Sequence, residues 1–149
     1  MITKLGKQKL EEQIAELQKE LERTYKQRNE AAAEGDLKEN SAYIFMGERA
    51  TVLNSQISEA IDDLKMSTVQ SAPTQTTTIC FGHKVCVRFE NDQRELNITL
   101  VGKNDARLQS DWISCESPIG IALLGKKKSD KVLVNDQPVT ILEVSIGEI

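Results

Sequence analysis

The chain has 149 residues, of which 39% are hydrophobic and only 4% aromatic, and its formal net charge is −4. Domains commonly contain about 100 to 150 residues, so this length permits one domain or two small ones. A net negative charge gives no long-range attraction to phosphates. The composition therefore argues against independent binding of DNA or RNA and favours a protein partner.

Three cysteines, Cys80, Cys86 and Cys115, form an odd set without C-x-x-C spacing. Such a set is typical of a reducing compartment and argues against both a disulfide framework and a zinc site. The first six residues lack the apolar core of a signal peptide, and no run approaches the roughly 18 apolar residues of a membrane span. We expect a cytoplasmic protein with no membrane contact.

Two heptad patterns predict a helical hairpin in the first half of the chain. Apolar side chains recur in steps of four and three at Leu10, Ile14, Leu17, Leu21 and Tyr25, and again at Met46, Ala50, Leu53, Ile57, Ala60 and Leu64. Seams of this kind are typical of paired helices, so we expect an antiparallel coiled coil. A helix from residue 10 to about residue 34 would extend roughly 37 Å, at about 1.5 Å per residue.

A short acidic segment, residues 35–40, separates the two patterns. Gly35 can adopt positive φ at the end of the first helix, and Asp36 can cap the second. Asp36 and Glu39 also have the spacing of a capping box. Taken on spacing alone, capping is the favoured interpretation of both acids, because acidic residues are stabilised at helix starts. Chemistry delivered at the end of a rod is the alternative that the spacing leaves open.

Apolar residues flank this segment on both sides. Three alanines at 31–33 either narrow the rod or simply favour the helix. Ile44, Phe45 and Met46 follow the segment, and we expect at least two of them to pack on the opposite helix. Phe45 is a candidate partner contact.

The second half of the chain predicts a small β-rich domain. Residues 67–75 are polar and contain Pro73, which is typical of a linker. Alternating or β-rich runs follow at 85–89, 96–100, 132–134 and 139–144, with reversals at 91–92 and 135–136. A short helix is expected after Ser117, with Pro118 in its first turn and Gly125 at its end. His83 is expected at a strand edge or on the surface.

Two motifs resemble those of a known family. Residues 30–43, EAAAEGDLKENSAY, are close to the pattern E-A-x-x-x-G-D-[LR]-[KS]-E-N-x-[ED]-Y, and residues 113–126, ISCESPIGIALLGK, are near I-S-x-x-S-P-[IM]-A-R-A-L-[LI]-G-K. Both patterns belong to the bacterial Gre-family transcript cleavage factors, which act on RNA polymerase. The resemblance spans nearly the full chain.

The resemblance implies an α+β fold: an antiparallel coiled-coil hairpin at 1–70, a linker at 71–78, and an FKBP-like, polymerase-docking domain at 79–149. The hairpin would enter the secondary channel of RNA polymerase, and the FKBP-like domain would dock at the outer rim of that channel. The nascent RNA 3′ end would be reached only indirectly, and DNA would not be bound independently. Residues implied in docking are Ser117, Pro118, Ile119, Leu123 and Gly125.

Asp36 and Glu39 match the two acids that the family carries at the tip of its helical hairpin. In such factors these acids help hold the second catalytic Mg²⁺ of the polymerase, so that water attacks a phosphodiester of backtracked RNA. Mg²⁺ favours a few carboxylates plus waters, which agrees with this role. The protein would bind no metal alone and would be no enzyme itself, but would stimulate the polymerase's own endonuclease. Gly35, Asn40 and Tyr43 would support the tip.

The chain departs from the family patterns at several positions. Ala32, Gly47 and Ile121 stand where basic residues are common, Ala42 stands where an acid is usual, and Arg107 falls where many members have an acid. Arg28 and Arg49 are candidates to compensate. These changes keep a second hypothesis open, a channel binder that inhibits or modulates the polymerase without cleavage. A third hypothesis, a structural coiled-coil adaptor with an unrelated β module, follows from periodicity alone.

Overall fold

The computed structural model describes residues 1–33 and 41–149, so Gly35, Asp36, Glu39 and Asn40 lie outside the described residues. Three helices and five strands occur there, in the order α1 (Lys4–Ala33), α2 (Ser41–Met66), β1 (His83–Phe89), β2 (Arg94–Val101), β3 (Trp112–Ser114), α3 (Pro118–Leu123), β4 (Lys131–Val134) and β5 (Gln137–Ile146). The chain divides into two compact units, residues 8–67 and residues 1–7 with 68–149. The predicted α+β class is confirmed, whereas the domain boundaries near residues 70 and 79 stay predictions.

Helix α1 from residue 8 onward forms the first unit with α2, and the two helices pair in antiparallel fashion. Arg28 on α1 contacts Tyr43 on α2, and Glu20 on α1 contacts Arg49 on α2. Residues earlier in α1 therefore meet residues later in α2, which is the antiparallel arrangement. The heptad of α2 is confirmed in its centre, where every predicted seam residue is buried: Ala50, Leu53, Ile57 and Ala60. The prediction for Tyr25 was wrong, since its side chain is 40% exposed and Thr24 is buried instead.

A five-stranded mixed sheet forms the second unit, in the order β3-β2-β1-β5-β4. Strand β1 pairs antiparallel with β2 and β5, β4 pairs antiparallel with β5, and β3 pairs parallel with β2. The alternation predicted for β1 is confirmed, because Val85, Val87 and Phe89 all point into the core. The reversal between β4 and β5 is also confirmed, with Asn135 and Asp136 both at positive φ.

His83 does not lie at an edge or on the surface, so that prediction was wrong. It begins the central strand β1, and its side chain is fully buried. Nδ1 accepts a hydrogen bond from the backbone N–H of Cys80 at 3.0 Å. The proton therefore resides on Nε2, which donates to the carbonyl of Gln75. This histidine ties the polar segment before β1 to the sheet.

The first seven residues pack within the second unit, a placement that the heptad pattern did not predict. Ile2 pairs with Val69 in a short parallel bridge. Thr3 donates to the buried carboxylate of Asp105 through its backbone N–H, at 3.0 and 3.2 Å, and through its hydroxyl at 2.7 Å. Gly6 lies so close that an added Cβ would stand 1.7 Å from that carboxylate. The start of α1 is therefore fastened by Asp105.

None of the helices in the described part of the chain is both long and apolar enough to cross a membrane.

Candidate functional site

Residues 34–40, called the acidic motif below, join α1 to α2, and the structure describes the residues on either side of them. Helix α1 runs to Ala33, and α2 begins at Ser41. Tyr43, the predicted support residue in the described part, therefore stands in the first turn of α2. The predicted roles of Asp36, Glu39, Gly35 and Asn40 stay predictions.

Tyr43 is held against α1 by Arg28. The Arg28 Nη2 atom donates to the Tyr43 hydroxyl at 3.0 Å, and the guanidinium carbon lies 4.5 Å from the centre of the Tyr43 ring. Both side chains are half-buried. A cation above an aromatic face is attracted by the ring's quadrupole, and more strongly where water is excluded. Arg28 is therefore held against Tyr43 and keeps its positive charge.

Arg49, the other candidate for compensation, is also paired. Its guanidinium Nη2 forms an ion pair with the Glu20 carboxylate on α1. Both side chains remain more than 40% exposed, so the pair adds little to stability. It nevertheless neutralises the charge of Arg49 locally. Both arginines therefore already have a partner within the hairpin, and the guanidinium of Arg28 lies beside Gly47.

The apolar cluster after the motif faces solvent more than the sequence predicted. Ile44 is 49% exposed and Phe45 is 60% exposed, while Met46 is half-buried. The expectation that at least two of the three pack on the opposite helix stays a prediction. Phe45 and Met46 border a groove of about 280 Å³ within the hairpin, whose other lining residues are Glu20, Arg23, Thr24, Gln27 and Arg49.

The predicted docking motif forms a capped helix in the second unit. Ser117 is the N-cap of α3: its Oγ accepts from the backbone N–H of Gly120 at 3.1 Å and donates to the carbonyl of Ser114 at 2.6 Å. Pro118 occupies the first turn, as predicted. Gly120 packs so tightly on this loop that a Cβ would lie 2.2 Å from the Ser114 carbonyl oxygen.

The residues of the predicted docking motif differ in burial. Leu123 is fully buried in the core, so in this fold it packs beneath the surface of α3 and cannot itself contact a partner. Pro118 is exposed, Ile119 is half-buried, and Ile121 is 64% exposed. Gly125 has φ of 79°, which favours glycine and turns the chain out of the helix. The exposed lysines 126–128 follow.

The three cysteines are free thiols. Burial raises the pKa of all three, most strongly for Cys115, whose pKa rises to about 11. Residues 1–33 and 41–149 contain no group of three or more His, Cys, Asp or Glu side chains able to hold a metal ion.

Comparison with known proteins places the chain among transcription elongation factors. A family model described as "Transcription elongation factor, N-terminal" matches residues 1–69, and one described as "Transcription elongation factor, GreA/GreB, C-term" matches residues 74–146. Transcription elongation factor GreA of Maridesulfovibrio salexigens is 34% identical over 135 residues, covering 90% of this chain and 84% of the relative. The chain therefore belongs to the GreA/GreB family of transcription elongation factors.

Further relatives lie in both branches of the family. Transcription elongation factor GreB of Yersinia pestis is 35% identical over 138 residues, covering 89% of this chain and 78% of the relative. Among solved structures, GreA factor homolog 1 of Thermus thermophilus is similar at 20% identity, with 97% of each chain covered and a TM-score of 0.45. The match of residues 74–146 to the GreA/GreB C-terminal model excludes an unrelated β module.

Proposed function

We propose that this protein binds RNA polymerase, inserts its helical hairpin into the secondary channel, and stimulates the cleavage of backtracked RNA. The single observation that carries the proposal is the match to both family models, which covers nearly the whole chain, in a sequence that keeps Asp36 and Glu39. Relatives similar along most of their length are named transcription elongation factors. The polymerase, not this protein, is the enzyme.

Asp36 and Glu39 supply the donor chemistry that this function requires. Carboxylate oxygens suit Mg²⁺, which binds through one or two carboxylates together with waters and substrate phosphates. Two carboxylates leave such a shell incomplete, so the remaining ligands come from the polymerase and the RNA. When bound, the second Mg²⁺ of a two-metal centre supports attack of water on the phosphodiester. Tyr43 would support the tip from the first turn of α2.

The second unit would dock at the rim of the channel through the surface around α3. Pro118 and Ile121 are exposed there, and the lysines at 126–128 add positive charge. Ser117, Gly120 and Gly125 shape this surface through the cap, the tight contact and the positive φ described above. Ile119 and Leu123 anchor it to the core.

A cleavage assay tests the proposal. The polymerase of the same organism is assembled on a scaffold with backtracked RNA, and shortening of the RNA from its 3′ end is followed with and without the protein. We expect faster shortening with the wild-type chain and none above the intrinsic rate with Asp36→Asn, with binding retained. Asp62→Asn, on the exposed surface of α2, is the matched control and should act like wild type. If the wild-type protein binds the polymerase but RNA shortening is no faster, the proposal is contradicted.

One observation favours a second candidate function, a channel binder that inhibits or modulates the polymerase without cleavage. Arg28 and Arg49, the candidates to compensate in part for the missing basic residues, are engaged with Tyr43 and Glu20. Each of these side chains already donates to a partner within the hairpin, which leaves it fewer donors for RNA phosphates. Slower nucleotide addition without RNA shortening, in the same assay, would establish this alternative.

A further inference from the structure

Arg28 occupies a slot that α2 forms from two residues one helical turn apart. On one side lies Tyr43, which accepts a hydrogen bond from Arg28 Nη2 at 3.0 Å and has its ring centre 4.5 Å from the guanidinium carbon. On the other side lies Gly47, where an added Cβ would stand 3.5 to 3.6 Å from Nε, Cζ and Nη2 of Arg28. The guanidinium is thus packed between a ring and a bare stretch of helix backbone.

Burial makes this contact specific for a planar cation. The Nε atom of Arg28 is buried and has no hydrogen-bond partner among the described residues, so water does not solvate that edge. A guanidinium can stack on an aromatic ring and donate sideways at once, whereas an ammonium is a compact and strongly hydrated charge. Lysine at position 28 would keep the charge and lose the stacking plane.

The absence of a side chain at Gly47 is part of the same arrangement. A methyl group would meet Arg28 at ordinary contact distance, but any longer side chain that turned toward α1 would compete for the space of the guanidinium. Arg28 and Gly47 therefore act together, one as the inserted group and the other as the space that receives it.

We propose that Arg28 is a positioning residue, which fixes Tyr43 and so holds the two helices at the ends of the acidic motif. Along the chain, Arg28 precedes Glu34 by six residues and Tyr43 follows Asn40 by three. The contact joins α1 to the first turn of α2, where a helix otherwise has few backbone hydrogen bonds of its own. The inference rests on the proposed function, which gives Tyr43 the role of supporting the acidic tip.

The test separates positioning from binding. Cleavage of backtracked RNA is measured over a range of factor concentrations for wild type, Arg28→Lys, Tyr43→Phe and, as matched control, Arg23→Lys on the exposed face of α1. We expect Arg28→Lys to lower the rate at saturating factor by roughly ten- to a hundredfold, since a misplacement of about 1 Å can cost that much. The half-saturating concentration should change little, because the docking surface is untouched. Tyr43→Phe keeps the ring and should fall between wild type and Arg28→Lys.

A spectroscopic readout that needs no polymerase accompanies the assay. The ring current of Tyr43 should shift the side-chain proton resonances of Arg28 upfield in the free protein, and Tyr43→Leu should remove the shift. If wild type stimulates cleavage but Arg28→Lys matches it, or the shift is absent, the positioning role is overturned and the proposed function stands. If wild type does not stimulate cleavage while the shift is present, the proposed function fails and the catalytic consequence of the contact fails with it.

Discussion

Replacing Asp105 with alanine should strongly destabilise the second unit. The Asp105 side chain is completely buried, and its carboxylate accepts from the backbone N–H and hydroxyl of Thr3 and from the backbone N–H of Gly102 at 3.0 Å. Alanine would leave these three donors without their acceptor. It would also leave an opening where Gly6 now approaches the carboxylate closely.

The magnitude follows from the three donors. A buried donor that loses its partner costs about 1 to 3 kcal/mol, and water entering the opening recovers part of that, so we expect a total loss of about 3 to 5 kcal/mol. A unit of this size has a stability of only about 4 to 13 kcal/mol, at roughly 0.05 to 0.15 kcal/mol per residue. Each kcal/mol shifts the melting temperature of such a domain by about 4 to 8 °C, so the midpoint should fall by at least about 12 °C.

Tryptophan fluorescence measures the effect directly, because Trp112 is the chain's one tryptophan and is buried in the core of the same unit. Unfolding in urea is followed for wild type, Asp105→Ala and the control Asp92→Ala. Asp92 is exposed and accepts a single hydrogen bond, from the backbone N–H of Arg94 at 3.0 Å. The control should change stability by less than about 0.5 kcal/mol. Equal stability of Asp105→Ala and Asp92→Ala would refute the reasoning.

Three further predictions concern the second unit. Burial raises the pKa of Cys115 from its ordinary 9.0 to about 11, so the thiol ionises at a lower pH in the unfolded chain than in the folded one. The stability that the neutral thiol contributes is complete below about pH 9 and is lost as pH rises toward 11. Cys115→Ala should remove that part of the pH dependence of urea unfolding, and an unchanged pH profile would contradict the assignment. Ser117→Ala should cost about 1 kcal/mol through loss of the cap to Gly120; no change in the thermal midpoint would argue against it. Gly120→Ala should cost about 1 to 3 kcal/mol or more because of the clash with Ser114, and wild-type stability of this variant would show that the loop yields freely.

Local patterns predicted much of the fold because local physics determines those parts. The centre of α2 follows its heptad, and the β4–β5 reversal follows from two residues that tolerate positive φ. Ser117 and Pro118 mark the start of α3 for the same reason: the cap and the fixed φ act within one turn.

Long-range contacts were not readable from the same patterns. Strand β3 has only three residues and pairs in parallel with β2, so neither length nor alternation marks it. Asp105 was missed because its partner Thr3 lies 102 residues away. The seam shifts from Tyr25 to Thr24, and Arg28 then lies beside Tyr43. A cation facing the partner helix has no signature in hydrophobic periodicity.

For the candidate site, the sequence supplied the motif and the structure supplied its surroundings. The acids were recognised from their resemblance to a family pattern, since their spacing by itself favours a helix cap. The engagement of Arg28 and Arg49 depends on which side chains meet across the hairpin. That information lies in the pairing of α1 with α2 and not in either helix alone.

The most direct test of metal assistance is the Mg²⁺ dependence of RNA cleavage by the polymerase. The cleavage rate of a backtracked complex is measured against Mg²⁺ concentration, without factor and with saturating wild type, Asp36→Asn, Glu39→Gln or the control Asp62→Asn. The proposed mechanism predicts that wild type and Asp62→Asn lower the Mg²⁺ concentration needed for half-maximal cleavage, and that either tip variant returns it to the value for polymerase alone. An unchanged Mg²⁺ requirement with wild type, or an equal decrease with Asp36→Asn, would contradict it.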